Sequence, residues 1–237
     1  MDKAIEESIK AVIAMLHENL SEEVTIDDMA RVAMFSKFHF SRIFQRVTGV
    51  SPGRFLSALR LHEAKRLLLE TSYSVTEICH IVGYSAVGTF SSRFKSMVGM
   101  APIEYRQSGG FRPAPLTRGG PAVIRGVITV PPDARNDPMF VGVFPHQVPK
   151  GLPALPTLVP QAGPFELSGV APTVCYVLAR SFPRNGAESI AVHGPITTRP
   201  ESPADIVLRL RPMRAVDPPI LPALLDRESS EAIGLCL

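Results

Sequence analysis

The 237-residue chain has no tryptophan, only three cysteines and, before residue 111, only two prolines. Each shortage excludes something. Cys79, Cys175 and Cys236 are odd in number and far apart. They fit neither a disulfide framework nor a metal-ligand pattern, which favours a reducing, cytoplasmic setting. No apolar run approaches the ~18–20 residues of a membrane-spanning helix. The opening "MDKAIEESIKAVIAMLHENL" is acidic with a helical period, so it is not expected to be a signal peptide. His146 and His193 lack metal-ligand company, and neither a metal nor a cofactor is expected.

The shortage of proline is local. Of 23 prolines, only Pro52 and Pro102 precede residue 111. Helix interiors exclude proline, which lacks an N–H and clashes with the preceding turn. The first half can therefore be all-helical and the second cannot. Charge is also segregated, behind a net +3 for the whole chain. Residues 1–30 carry two basic and eight acidic side chains, whereas residues 31–106 carry eleven and four. A basic surplus masked by an acidic neighbour is the electrostatic footprint expected of an anion-binding surface.

Start signals divide the first half into helices. Ile5, Ile9, Val12, Ile13 and Leu16 follow helical spacing. Thr25 is a candidate N-cap for Ile26 to Ala33, and Ser36 for the helix after it. Ser51-Pro52 offers a cap followed by proline at the first helical position, opening a long helix to about Thr71. Ser74 with Glu77 spells a capping box for Val75 to Val82. Ala86 to Val98 and Pro102 to about Gln107 complete the set.

An internal repeat is the strongest feature of this half. Ile26, Met29, Val32 and Phe35-Ser36 recur 49 residues later as Val75, Ile78, Ile81 and Tyr84-Ser85. Phe40, Phe44, Gly49, Pro52 and Phe55 recur 50 residues later as Phe90, Phe94, Gly99, Pro102 and Tyr105. A short helix, a tight turn and a second helix, occurring twice, predict two helix-turn-helix units at about 25–47 and 74–98.

In the first unit Phe40, Ile43, Phe44 and Val47 make one core stripe. Phe38, Ser41, Arg42 and Gln45 share that spacing on another face, flanked by Lys37 and Arg46. An outward aromatic ring suits a thymine methyl and Arg42 suits guanine O6 and N7. Lys37 and Arg46 suit phosphates, which position without specifying sequence. The long helix of about 20 residues spans ~30 Å, near the ~34 Å between successive major-groove faces. Arg54, Arg60, Lys65 and Arg66 are expected to line it with cations.

The region from about Ile9 to Gln107 resembles the DNA-binding domain of the AraC/XylS family of bacterial transcription regulators. The most specific stretch is "VTEICHIVGYSAVGTFSSRFKSMVGMAPIEYR", with Ile78, Gly83-Tyr84, Phe90, Phe94-Lys95, Gly99, Pro102 and Tyr105-Arg106 at the family's spacings. The resemblance implies a homeodomain-like, all-α domain of seven helices. It also implies sequence-specific binding to double-stranded promoter DNA, with RNA polymerase recruited or blocked. Family reading positions carry over to Phe38, Ser41, Arg42 and Gln45 in the first unit, and to Val87, Gly88, Ser91 and Ser92 in the second. The second set departs from relatives that often carry polar or basic side chains there. Arg93 and Lys95 remain for phosphates. The expected result is an asymmetric reader, in which the first unit carries most base specificity and the second anchors.

"SGGFRPAPLTRGGPA", residues 108–122, reads as a Gly/Pro linker between a domain at 1–107 and another at 123–237. Beyond it the period becomes β. "VIRGVITV", "PMFVGVFP", "LPTLVP", "PFELSGV", "TVCYVLARSF", "SIAVHG" and "ADIVLRLRP" are candidate strands, predicting an all-β, sandwich-like domain. Gly126-x-Ile128, "FVGVF", "GPFELSGVAP" and "YVLARSF" look like the transthyretin-like sandwich of carboxypeptidase-regulatory-like domains. Pro172-Thr-Val-Cys replaces the usual Pro-Gly of that pattern. Cys175, His193 and Asp205 are the residue types of a nucleophilic set, but a cysteine in an apolar strand reads as core. The expected function is a promoter-binding regulator and not an enzyme. The alternatives are an effector-gated sensor whose β-domain binds a small molecule or partner, and a helical adaptor for an acidic protein.

Overall fold

Periodicity and caps become seven helices in the computed structural model, which describes residues 3–110, 119–131, 137–182 and 188–223. They are α1 (Lys3–Glu18), α2 (Ile26–Val32), α3 (Lys37–Thr48), α4 (Pro52–Glu70), α5 (Val75–Ile81), α6 (Val87–Val98) and α7 (Pro102–Gln107). The capping boxes are present at both short helices. The Thr25 hydroxyl accepts from the Asp28 N–H at 3.2 Å, and the Thr25 N–H donates to the Asp28 carboxylate at 3.0 Å. Ser74 and Glu77 do the same at 3.2 and 2.7 Å. Ser36 and Ser51 stand at the N-caps of α3 and α4, but neither side chain makes a capping hydrogen bond. Pro52 at the first turn removes one orphan donor of α4.

The repeat is visible as packing. Phe40 meets Phe44 at a tilt with ring centroids 5.4 Å apart, and Phe44 meets Phe55 edge to face at 5.4 Å. Their echoes Phe90–Phe94 and Phe94–Tyr105 stand at 5.8 and 5.5 Å. All six rings are essentially buried. Burying each side chain is worth roughly 1.5–3 kcal/mol, so these triplets are the main apolar anchors of the two units. The turns repeat as well. The Phe35 N–H donates to the Ala30 carbonyl at 3.0 Å, and the Tyr84 N–H to Cys79 at 2.9 Å.

Helix α4 lies between the two copies, and ten of its 19 residues are buried. Two of its four cations, Arg60 and Lys65, are therefore structural, which corrects the expectation of a basic lining at those positions. Arg60 donates to the Leu20 and Glu22 carbonyls at 2.9 and 2.7 Å, and burial lowers its pKa. Arg66 is held by Glu63 and Glu70. Lys65 is 3% exposed, donates to the Leu221 carbonyl at 2.9 Å and lies 5.8 Å from the Tyr105 ring centroid. Of the four, Arg54 alone is exposed without a hydrogen-bond or ion-pair partner among the described residues. The Lys65 contact shows that the helical unit takes in Arg214–Leu221, a stretch whose sequence reads as part of the β half.

The second unit holds two sheets. One orders β4 (Gly163–Val170), β1 (Ala122–Thr129) and β7 (Ala204–Arg209). The other orders β3 (Ala154–Val159), β2 (Met139–Phe144), β5 (Val174–Ser181), β6 (Ser189–Thr197) and β8 (Arg211–Pro212). Ile124, Leu167 and Leu208 from the first and Val141, Val177 and Ala191 from the second join one apolar cluster. The candidate strand "ADIVLRLRP" is divided. Residues 204–209 pair in parallel with β1, and Arg211–Pro212 pair with β6 in the other sheet. Gly126 sits where a Cβ would lie 2.7 Å from both the Phe165 ring and the Ile206 carbonyl, so the ring occupies the space that a side chain would need. Within the Gly/Pro segment, residues 111–118 lie outside the described residues. Beyond them, the Gly119 and Gly120 N–H groups already donate to the Gly169 carbonyl.

Candidate nucleic-acid interface

Helix α3 buries Phe40, Ile43, Phe44, Val47 and Thr48 and turns its other face outward. On that outer face Phe38 is 84% exposed, Arg42, Gln45 and Arg46 are exposed, and Ser41 is half-buried with its hydroxyl donating to the Lys37 carbonyl at 3.0 Å. Arg42, Gln45 and Arg46 have no partner among the described residues, so their donors are available to an incoming ligand. Lys37 pairs with Asp27 at 2.8 Å, both side chains being at least half exposed. An exposed pair of this kind is worth at most about 1 kcal/mol, so a phosphate can displace Asp27 at small cost.

The second unit presents a shorter surface. On α6, Gly88, Ser92, Arg93 and Lys95 are exposed while Val87 and Ser91 are half-buried. Arg93 leans back, donating to the Ser57 hydroxyl of α4 at 3.3 Å. Ser57 in turn shares a 3.1 Å hydrogen bond with the Tyr84 hydroxyl. Lys95 is the cation of this face left without a partner among the described residues.

One apolar group beside the interface escaped sequence reasoning. Met34, in the turn of the first unit, is 86% exposed and holds a left-handed φ of 58°. Its echo Gly83 carried the signal, because a glycine 49 residues on marks the same backbone need. Met34 and Phe38 are the two most exposed large apolar side chains among the described residues.

The nucleophilic residue types do not form a catalytic set. Cys175 is 1% exposed inside the β cluster, and burial pushes its thiol pKa up, away from the reactive thiolate. His193 and Asp205 instead line an open cleft of about 680 Å³ with Arg125, Val127, Val207 and Arg209. Arg125 is paired there with Glu166 at 2.9 Å. No group of three or more His, Cys, Asp or Glu among the described residues is placed to hold a metal. None of the described helices is long and apolar enough to cross a membrane.

A family model described as "Helix-turn-helix domain" matches residues 29–108. The HTH-type transcriptional regulator YobQ of Bacillus subtilis is 34% identical over 98 residues, 41% of each chain. An HTH-type transcriptional regulator of Haemophilus influenzae is 39% identical over 98 residues, covering 41% of this chain and 33% of the relative. The chain thus spans well under half the length of these curated relatives. A solved transcriptional regulator with an AraC-type DNA-binding domain, from Chromobacterium violaceum, is 27% identical. It covers 44% of this chain and 93% of that one, with a TM-score of 0.43. Residues 29–108 match a helix-turn-helix domain, and the relatives of this helical unit are HTH-type transcriptional regulators.

Proposed function

We propose that the chain is a sequence-specific regulator of transcription that reads double-stranded promoter DNA with α3 and anchors itself with α6. The observation that carries this reading is the contrast among cations. Arg60 and Lys65 are engaged within the fold, whereas Arg42 and Arg46 stand unpartnered around an exposed Phe38. In this reading Phe38, Ser41, Arg42 and Gln45 meet base edges, and Lys37 and Arg46 meet phosphates. Val87, Gly88, Ser91 and Ser92 make close, weakly discriminating contacts, and Arg93 and Lys95 hold the second phosphate track. RNA polymerase is the expected protein partner. Selection of bound duplexes from a random pool, followed by titration with salt, tests the reading. Specific binding should weaken steeply as salt rises, because each phosphate contact releases counterions. Equal affinity for selected and random duplex would sink it.

A second reading concerns the β unit, which we take as a sandwich of the carboxypeptidase-regulatory-like kind. Its open cleft offers Arg209 and His193 without partners among the described residues, above the exposed Val127 and Val207. Asp205 shares that lining, so Arg209 and His193 would take the anionic end of a small effector in a gated regulator. Thermal-shift screening of small carboxylates against wild type and Arg209→Ala tests it. A shift that survives the substitution would remove this cleft from consideration.

A further inference from the structure

The stretch Arg214–Leu221 follows strand β8 and yet belongs to the helical unit. Its start is shaped locally. The Arg214 N–H donates to the Asp217 carboxylate at 2.8 Å, the two side chains pair at 2.9 Å, and the Asp217 N–H returns to the Arg214 carbonyl at 2.9 Å. Pro218 and Pro219 then stiffen the path to Ile220 and Leu221 by fixing φ. Val216 is fully buried, Leu221 is 1% exposed and Ile220 8%.

This segment also answers a chemical need of α4. A buried ammonium is costly unless acceptors surround it, and the Leu221 carbonyl is one acceptor for Lys65. Helix α4 joins the two reading units, so whatever fixes its core also fixes the scaffold on which α3 and α6 are carried. At its other end the segment is tied to the five-stranded sheet. The Met213 N–H donates to the Glu188 carbonyl at 2.8 Å, and Arg211 pairs with Ile190 of β6. Residue 213 is held by the sheet and residue 214 begins the part held by the helices.

We infer that Arg214–Leu221 is a regulatory strap of the DNA-reading unit, engaged for tight DNA binding and released for weak binding. The inference rests on the DNA-binding reading above. Preorganisation is the physical reason for its sign: a scaffold that is already ordered loses less entropy on binding. The experiment uses the full chain carrying Val216→Ser with Ile220→Ser, beside the milder Val216→Ala in case the double variant fails to fold. The probe is a duplex selected by the wild-type protein. Amide exchange across Leu61–Leu68 should accelerate at least tenfold in the double variant, with exchange in β2 and β5 unchanged. Affinity for the duplex should fall at least fivefold. Val216→Ala should move both readouts the same way by less. Unchanged exchange in α4 overturns the strap. Faster exchange with unchanged affinity leaves a structural brace and overturns the regulatory role. A wild-type protein that selects no duplex instead defeats the DNA-binding reading, and with it the regulatory claim, while the exchange result still reports the packing.

Discussion

Met34 and Gly83 occupy the same turn position in the two copies of the repeat, and both hold left-handed backbone, with φ of 58° and 82°. The first copy accepts a side chain there because Met34 points into solvent, 86% exposed. The second does not. A Cβ on Gly83 would lie 2.3 Å from the Leu20 carbonyl and 2.7 Å from the Arg60 guanidinium. Left-handed backbone costs a non-glycine residue roughly 1–2 kcal/mol. Met34→Gly should therefore stabilise the protein by up to about 1 kcal/mol, after the entropy of the unfolded glycine is set against it. Gly83→Ala should destabilise it by about 2 kcal/mol or more. Urea denaturation of both variants checks the opposite signs.

Under the proposed DNA-binding function, the outer faces of α3 and α6 should differ in what they contribute. Arg42→Ala should cost about 1–3 kcal/mol of discrimination between the selected site and a site changed at one base pair. Ser92→Ala should cost clearly less. Lys95→Ala should weaken all sites alike and reduce the salt slope by about one. Binding titrations on matched and mismatched duplexes separate the three. Equal loss of discrimination for Arg42→Ala and Ser92→Ala would contradict the asymmetric reader.

Arg60 tests the separation of structural from binding cations. Its guanidinium satisfies two backbone carbonyls in the segment between α1 and α2. Arg60→Ala should cost about 2 kcal/mol of folding stability and leave the salt slope of DNA binding unchanged. A slope reduced by one unit would instead make Arg60 a phosphate contact.

Acid should open the starts of α2 and α5 first. The Thr25 hydroxyl and then its N–H hold the Asp28 carboxylate below its ordinary range. The Ser74 N–H and then its hydroxyl do the same for Glu77. Because both groups titrate lower when folded, the unfolded chain binds more protons in the window between the two values. Stability from the boxes is thus present above the ordinary carboxylate range of about 4 and is lost as pH falls through the lower folded values. Protection of the Thr25 and Ser74 amides should decline below about pH 4, ahead of core amides in α4. Asp28→Asn and Glu77→Gln should blunt that decline.

The helices were legible because capping and periodicity are local. Thr25, Ser74 and the stripe of Phe40, Ile43, Phe44 and Val47 each state their structure within one or two turns. The fates of Arg54, Arg60, Lys65 and Arg66 were not legible. On a helix that is apolar around most of its circumference, a lysine bound for the core looks like one bound for solvent. Partners distant in the chain, among them one 156 residues away, distinguish Lys65. The strands were legible from their alternation, but the parallel pairing of β1 with β7 joins segments far apart in the chain. The break at Leu210 was hidden as well, because that buried residue continues the apolar alternation of β7 while the next residues change sheets. "AVDPPILP" carries no period of helix or strand, so nothing in it announced a place in the helical core.

The path of the chain through its two units has a consequence for synthesis. Residues 1–107 leave the ribosome roughly 100 residues before Arg214, an interval on the order of 5–20 s at ordinary elongation rates. Throughout that interval Lys65 lacks the Leu221 carbonyl that it meets in the finished fold. A nascent chain stalled between these points therefore displays α3 and α6 on an unfinished scaffold, and the step that completes it comes only after the β strands have been made.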